Sequence, residues 1–191
     1  MPPKGDKTKN LILEKATELF IQKGYSAVTM KDICEETGLS RGGLYRHFKS
    51  TCEMMACLLS DEQQTADEKF RTDITEGKSA LEILDAYIQA HNRFLLSSKS
   101  GLEVAANQYA LLDDVGREIN TSRVKATVKR LTYIVRQGQQ EGVFIDGDSE
   151  SIAWHIAFFI CGFRSQTVLD EPGADFIHLQ TDYVRRFLLN E

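Results

Sequence analysis

The chain has 191 residues, 42% hydrophobic and 27% charged, the balance of an ordinary soluble globular protein with length for one large or two modest domains. Its three prolines are Pro2, Pro3 and Pro172, so none interrupts a helix from Lys4 to Glu171, and the lack of alternating β-branched runs speaks against a sheet. The net charge of −5 argues against a uniformly basic protein, yet residues 1–50 hold nine Lys/Arg against six Asp/Glu while the rest holds 14 against 22. A basic head on an acidic body confines attraction for a polyanion to one end.

Residues Met1 to Lys7 read as a polar arm. From Thr8 to Lys23, apolar residues at Ile12, Ala16, Leu19 and Phe20 keep the helix period, and Gly24 ends the helix. Thr29 and Asp32 then have capping-box spacing, with Val28 and Ile33 placed as a hydrophobic staple. Gly38 suits a left-handed exit, and Ser40 caps a second helix. Two capped helices on so short a turn predict a helix-turn-helix. Leu44 and Phe48, four apart, should face the head's core, which turns Arg41, Tyr45 and Arg46 outward. With His47 and Lys49 nearby, these are side chains suited to phosphates and base edges. Arg41, at the helix N-terminus, is the candidate for bidentate bonding to guanine. Lys31 and Thr29 are phosphate candidates at the start of the preceding helix. Gly42 and Gly43 leave the first turn of the second helix bare, which suits close approach of backbone to DNA or reflects simple tolerance at a helix end.

Lys49-Ser50 starts a further helix that is apolar at Met54, Met55, Leu58 and Leu59 and mainly polar from Ser60 to Glu76. A helix polar on most sides bridges domains through solvent. The expected organisation is therefore a DNA-binding head over residues 1–50 and a helical body over 51–191, with 51–76 as the connecting helix. Gly77 marks a break. Leu81, Leu84, Ile88, His91 and Leu95 line the next helix, residues 97–101 form a loop, and Leu102, Ala105, Ala106, Tyr109 and Leu112 carry another. Val124, Val128, Leu131 and Val135 stripe a long segment whose other face, with Lys125, Lys129, Arg130 and Arg136, reads as a solvated helix face rather than a second nucleic-acid surface. Gly142 closes that helix, and Asp148 or Ser149 caps the next.

From Ile152 to Leu169 the sequence is apolar almost all round, though Trp154-His155 and Arg164 interrupt it too much for a membrane span. Such a helix must be buried on several sides. Paired with the stripe Phe176, Leu179, Tyr183 and Phe187, it predicts an intermolecular four-helix bundle, hence a homodimer, with Ile152, Ile156, Phe159 and Phe163 as the other half of the interface. Gly162 allows close helix approach. Candidates for a small, partly apolar ligand in the body are His91, Asn107, Gln108, Tyr133, Trp154, His155 and Phe158, aromatic walls with a few polar groups. Cys34, Cys52, Cys57 and Cys161 have neither CxxC spacing nor a zinc pattern, so reduced thiols in the cytoplasm are expected, with a redox role for Cys52 and Cys57 as an alternative. No metal or cofactor is expected. No Glu-x-x-His repeat, phosphate-cradling loop or activated nucleophile points to an enzyme.

The run Thr29-Met30-Lys31-Asp32-Ile33, followed by Thr37-Gly38-Leu39-Ser40-Arg41-Gly42-Gly43-Leu44-Tyr45-Arg46-His47-Phe48-Lys49, resembles the DNA-binding head of the tetracycline-repressor (TetR) family, as does Phe20-Ile21-Gln22-Lys23-Gly24-Tyr25 before it. The resemblance covers the first quarter to third of the chain. It implies an all-α protein of about nine helices, with a three-helix head and a larger ligand-binding and dimerisation body. It also implies a dimeric transcriptional regulator, most often a repressor and otherwise an activator, that leaves its operator when a small molecule binds the body. By resemblance, Tyr45, His47 and Lys49 hold phosphates. Thr51 departs from the family pattern, standing where a phosphate-contacting lysine is common; Lys49 or the helix N-terminus is the substitute.

Overall fold

The computed structural model describes residues 4–98, 100–170 and 172–190. Among these, nine α-helices and one short 3-10 turn account for nearly all regular structure, and the one β-type pairing is an isolated bridge between Phe144 and Leu189. The helices are α1 (Lys4–Lys23), α2 (Met30–Thr37), α3 (Arg41–Tyr45), α4 (Thr51–Thr75), α5 (Ala80–Leu95), α6 (Leu102–Leu112), α7 (Asp114–Gln140), α8 (Ser149–Asp170) and α9 (Ala174–Leu188). α1 already begins at Lys4, inside the stretch expected as an arm, while residues 1–3 of that stretch lie outside the described residues.

The chain forms two compact units. The first joins the N-terminal residues up to Gln63 with Gly101–Asn120; the second holds Gln64–Ser100 and the chain from Thr121 onward. The first division of the chain falls within α4, between Gln63 and Gln64. The first unit, however, takes in α6 and the start of α7 as well as the helix-turn-helix.

In the first unit, Ile12, Ala16, Phe20, Ile33 and Leu44 are fully buried, and Phe48 nearly so. These are the periodic apolar positions of α1 to α3 and, at Phe48, of the turn after α3; Met54 and Met55 from the start of α4 join them. Ala105, Ala106 and Tyr109 of α6 complete the same core. A small residue permits that closeness, since a Cβ on Gly101 would stand 2.9 Å from Ile21 Cγ2; Gly116 likewise lets α7 start close to α6, where a Cβ would stand 2.4 Å from the Tyr109 carbonyl oxygen.

In the second unit, Leu84 of α5, Leu131 and Val135 of α7, Ile156 and Ala157 of α8 and Leu188 of α9 form the core with Phe144. The segment after α7 folds back as its apolar Val143-Phe144-Ile145 sequence requires. Gly142 takes φ +72, Ile145 N–H donates to the Leu188 carbonyl at 2.9 Å, and Asn190 N–H donates to that of Val143 at 3.0 Å. Phe144 lies directly over Gly138, where an added Cβ would be 2.0 Å from ring carbon Cδ2. Polar groups inside this unit are mostly paired. Asp73, almost fully buried, receives Lys69 and Lys78, and the Arg130 guanidinium meets Asp67. One of the four cations of the α7 polar face is thus turned onto α4 rather than outward. Asp148 Oδ2 caps α8 by accepting from Ser151 N–H at 2.7 Å. Among the described residues no helix is long and apolar enough to cross a membrane, and no cluster of His, Cys, Asp and Glu is arranged to hold a metal ion.

Candidate nucleic-acid interface

Local chemistry sets each end of the helix-turn-helix. Thr29 Oγ1 accepts from Asp32 N–H at 3.2 Å, and Asp32 Oδ2 accepts in return from Thr29 N–H at 2.8 Å and from the Thr29 hydroxyl. Lys23, at the end of α1, reaches Asp32 Oδ1 at 2.7 Å. The Lys23 bond, followed by those from Thr29, holds the Asp32 carboxyl well below the usual carboxylate range. One carboxylate therefore fastens the end of α1 to the start of α2. α2 stops at Gly38, which takes φ +68, and Ser40 Oγ then accepts from Gly43 N–H at 3.2 Å to start α3. A left-handed residue between two caps fits an eight-residue helix and a five-residue helix into one tight corner.

α3 is only five residues long. Leu44 and Phe48 point into the core as their spacing predicts, and Arg41, Gly42, Tyr45, Arg46 and Lys49 are exposed, with Gly43 and His47 half-buried. Neither Arg41 nor Arg46 enters an ion pair among the described residues, whereas Lys23 is held by Asp32 and Lys31 stands 3.5 Å from Glu35. Within the helix-turn-helix, the charges left for an anionic partner thus lie on α3 and the turn after it. Lys49 Nζ donates to the Tyr45 carbonyl at 2.9 Å, which closes that turn. The start of α4 is already occupied: Ser50 Oγ accepts from Glu53 N–H at 3.1 Å, and the Glu53 carboxylate accepts from Lys49 N–H at 2.6 Å. A phosphate at this helix end would have to displace Glu53, so of the two substitutes for the missing lysine at Thr51, the Lys49 ammonium meets less resistance.

The expected ligand residues are distributed over both units. Asn107 and Gln108 lie on α6 in the first; His91, Tyr133, Trp154, His155 and Phe158 lie in the second. His91 is buried, its Nε2 has no hydrogen-bond partner among the described residues, and its ring is 6.4 Å from that of Phe163. Burial, with help from the Arg164 charge, pushes its pKa down to about 3, so the imidazole is neutral at physiological pH. Tyr133 meets Phe70 edge-on at 5.5 Å, Trp154 pairs with Phe158 at 5.2 Å, and His155 lies 5.4 Å from Phe187. Of the expected dimer residues, Phe176, Leu179, Tyr183 and Phe187 are exposed along one stripe of α9. Ile156 instead belongs to the core of its own unit, Ile152 and Phe159 pack partly covered against that core, and Phe163 is half-buried. Gly162 is exposed with open space at its Cβ position. Two contacts of α6 lie outside what the sequence predicts: Gln108 accepts from Tyr25 N–H in the head, and the Tyr109 hydroxyl shares a hydrogen bond with Cys52 Sγ at the start of α4. No local pattern announces a contact across 83 residues.

Comparison with known proteins agrees with this geometry. Residues 12–56 match the model of the family described as bacterial regulatory proteins, tetR family. The chain is 30% identical over 144 residues to the HTH-type transcriptional regulator YfiR of Bacillus subtilis (strain 168), covering 73% of this chain and 69% of that one. It is 26% identical over 183 residues to the HTH-type transcriptional regulator TtgR of Pseudomonas putida, covering 89% and 84%. Its fold is shared by a TetR-family regulator from Agrobacterium tumefaciens, with a TM-score of 0.84, 18% identity and coverage of 97% and 100%. A regulator from Saccharomonospora viridis, solved in complex with choline, gives a TM-score of 0.83 at 21% identity, with the same coverage. Such regulators are DNA-binding proteins rather than enzymes. With a doubly capped α2–α3 corner, a bare basic face upon it and kinship that reaches well past the head, the chain belongs to the tetR family of bacterial regulatory proteins and is a transcriptional regulator with a DNA-binding helix-turn-helix.

Proposed function

We propose that the protein is a homodimeric repressor of the cytoplasm that binds a near-palindromic operator and leaves it when a small, partly apolar molecule binds the body. The observation that carries the DNA reading is the sorting of side chains on α3. Leu44 and Phe48 are buried while Arg41, Tyr45 and Arg46 are exposed, and neither arginine is spent on an internal carboxylate. Arg41 reads a base; Tyr45, Arg46, His47 and Lys49 hold phosphates, with Lys31 and Thr29 behind them. Thr29 contributes least, because Asp32 already engages its hydroxyl. Residues 1–50 carry the DNA-contacting surface and 51–191 the ligand-binding and dimerisation functions, with 51–76 connecting them, although α6 within 51–191 packs into the core of the first unit. The dimer reading rests on the exposed α9 stripe of Phe176, Leu179, Tyr183 and Phe187, with exposed Gly162 on α8 leaving room for a partner helix. For the effector, His91 offers a nitrogen that has no partner among the described residues, beside the Phe163 ring.

The redox alternative loses support. Burial, with Asp61 nearby, pushes the Cys57 thiol up rather than toward the reactive thiolate. Cys52 shares a hydrogen bond with Tyr109.

The deciding experiment is selection of bound duplexes from a random pool, followed by titration of the enriched sequence at several salt concentrations. Two inverted half-sites and a steep salt dependence are expected. A lone half-site bound as tightly as the full site refutes the dimer, and no enrichment refutes specific recognition.

A further inference from the structure

Within the first unit, α6 reaches the helix-turn-helix at its entrance and its exit. Gln108 Oε1 accepts from the backbone N–H of Tyr25 at 2.8 Å, in the turn between α1 and α2. The preceding Gly24 has φ +76, and a Cβ added there would stand 2.7 Å from Gln108 Oε1 and 3.1 Å from its Nε2. Turn and amide are thus fitted to each other: the glycine leaves the space that the amide fills. The next residue, Tyr109, is fully buried; its hydroxyl shares a hydrogen bond with Cys52 Sγ at 3.2 Å, and its ring lies 4.8 Å from that of Tyr25. Tyr25 leads into α2, and Cys52 stands on the first turn of α4, just beyond α3.

We infer that Gln108 is a positioning residue for DNA binding. It touches no DNA itself. It accepts from a backbone donor in the turn where α1 hands over to the helix-turn-helix, and so fixes the direction in which α2 and α3 leave the α1 packing. Without it, Tyr25 N–H loses its acceptor and the turn gains alternative conformations. Operator affinity then falls by the fraction of molecules whose head is no longer in the binding geometry, because the missing order must be supplied on binding. The inference rests on the reading of α2–α3 as the operator-contacting element.

The test uses the full-length protein and the selected operator. Gln108→Leu keeps bulk and removes the acceptor; Gln108→Glu keeps an acceptor. Three readouts are taken: exchange of the Tyr25 amide by NMR, operator affinity by fluorescence anisotropy at two salt concentrations, and the thermal midpoint. The Leu variant is expected to lose protection at Tyr25 and to bind operator about tenfold more weakly. The Glu variant should restore both to within about threefold, with the effect of its added charge read from the salt comparison. A Leu variant with wild-type affinity overturns the inference, as does a folded Glu variant that protects Tyr25 yet binds as poorly as Leu. Unchanged Tyr25 protection in the Leu variant overturns it too. If the wild type selects no operator, the DNA reading fails instead, while Tyr25 exchange still reports on the Gln108–Tyr25 hydrogen bond.

Discussion

Gly42→Ala separates the two explanations for the bare first turn of α3. Gly42 is the second residue of the helix, is exposed, and has open space for 4 Å around the position of an added Cβ. Its φ lies outside the left-handed region, so alanine meets no strain. A mid-helix Gly→Ala change is worth about 1 kcal/mol of helix propensity; in a first turn about half of that is realistic, raising the melting temperature by about 1–2 °C in a chain of this size. Free protein thus gains from the methyl group. If the backbone at Gly42 lies against DNA, bound protein loses, because the methyl group takes the space where the two surfaces meet. A loss of about tenfold in operator affinity, about 1.4 kcal/mol, is expected against that gain. Melting and anisotropy on the same preparation give both numbers. A variant that melts higher and binds equally well or better refutes close approach and leaves the glycine as mere tolerance. Gly43→Ala is a poorer probe, since its Cβ would stand 3.3 Å from the capping Ser40 Oγ.

Arg41→Ala should flatten sequence preference at one base pair, by about 1–3 kcal/mol in competition titrations; equal losses on specific and scrambled DNA would reassign Arg41 to phosphate. Leu179→Glu, on the exposed α9 stripe, should give monomers by light scattering and lose the full operator while melting cooperatively, and a persistent dimer contradicts the proposed interface. His91→Gln should flatten part of the pH dependence of stability. The folded-state pKa is about 3 against an ordinary 6.5, so between those values the unfolded chain binds the extra proton, and the wild type loses up to about 1.4 kcal/mol per pH unit as pH falls through that window. Identical urea-midpoint slopes in the two proteins exclude a buried neutral imidazole. Gly138→Ala should destabilise by about 2 kcal/mol despite the gain in helix propensity, because its Cβ would fall 2.0 Å from Phe144 Cδ2. Phe144→Leu in the same chain should recover part of the loss in urea unfolding; full additivity of the two changes removes the steric explanation.

What the sequence disclosed here is what local chemistry encodes. The Thr29–Asp32 box, the left-handed Gly38 and the Ser40 cap are each written within four residues, and each forms as its spacing requires. The inward turn of Leu44 and Phe48 follows from the helix period alone. The placement of α6 was not legible. Leu102, Ala105, Ala106 and Tyr109 announce an apolar face but not its destination, and the neighbouring body made an equally good one. By sequence Gln108 reads as a ligand group for the same reason, since an amide carries no mark of the backbone donor it will meet. On α8 an all-round apolar composition hid which residues stay in the protomer. Ile156 goes to the core and Phe158 to the outside, a distinction that depends on the roll of the helix against α5 and α9.

The discontinuity of the first unit bears on modular engineering. A gene fragment cut after the matched family region, at residue 56, or after Gln63 would omit the segment that supplies Ala105, Ala106 and Tyr109. Such a fragment would present the flank of α1 and the start of α4 to water with apolar side chains uncovered, an invitation to aggregation. Chimeras that exchange operator preference between relatives should therefore graft in two pieces, the N-terminal stretch together with Gly101–Asn120, or else transplant only the few surface side chains of α3.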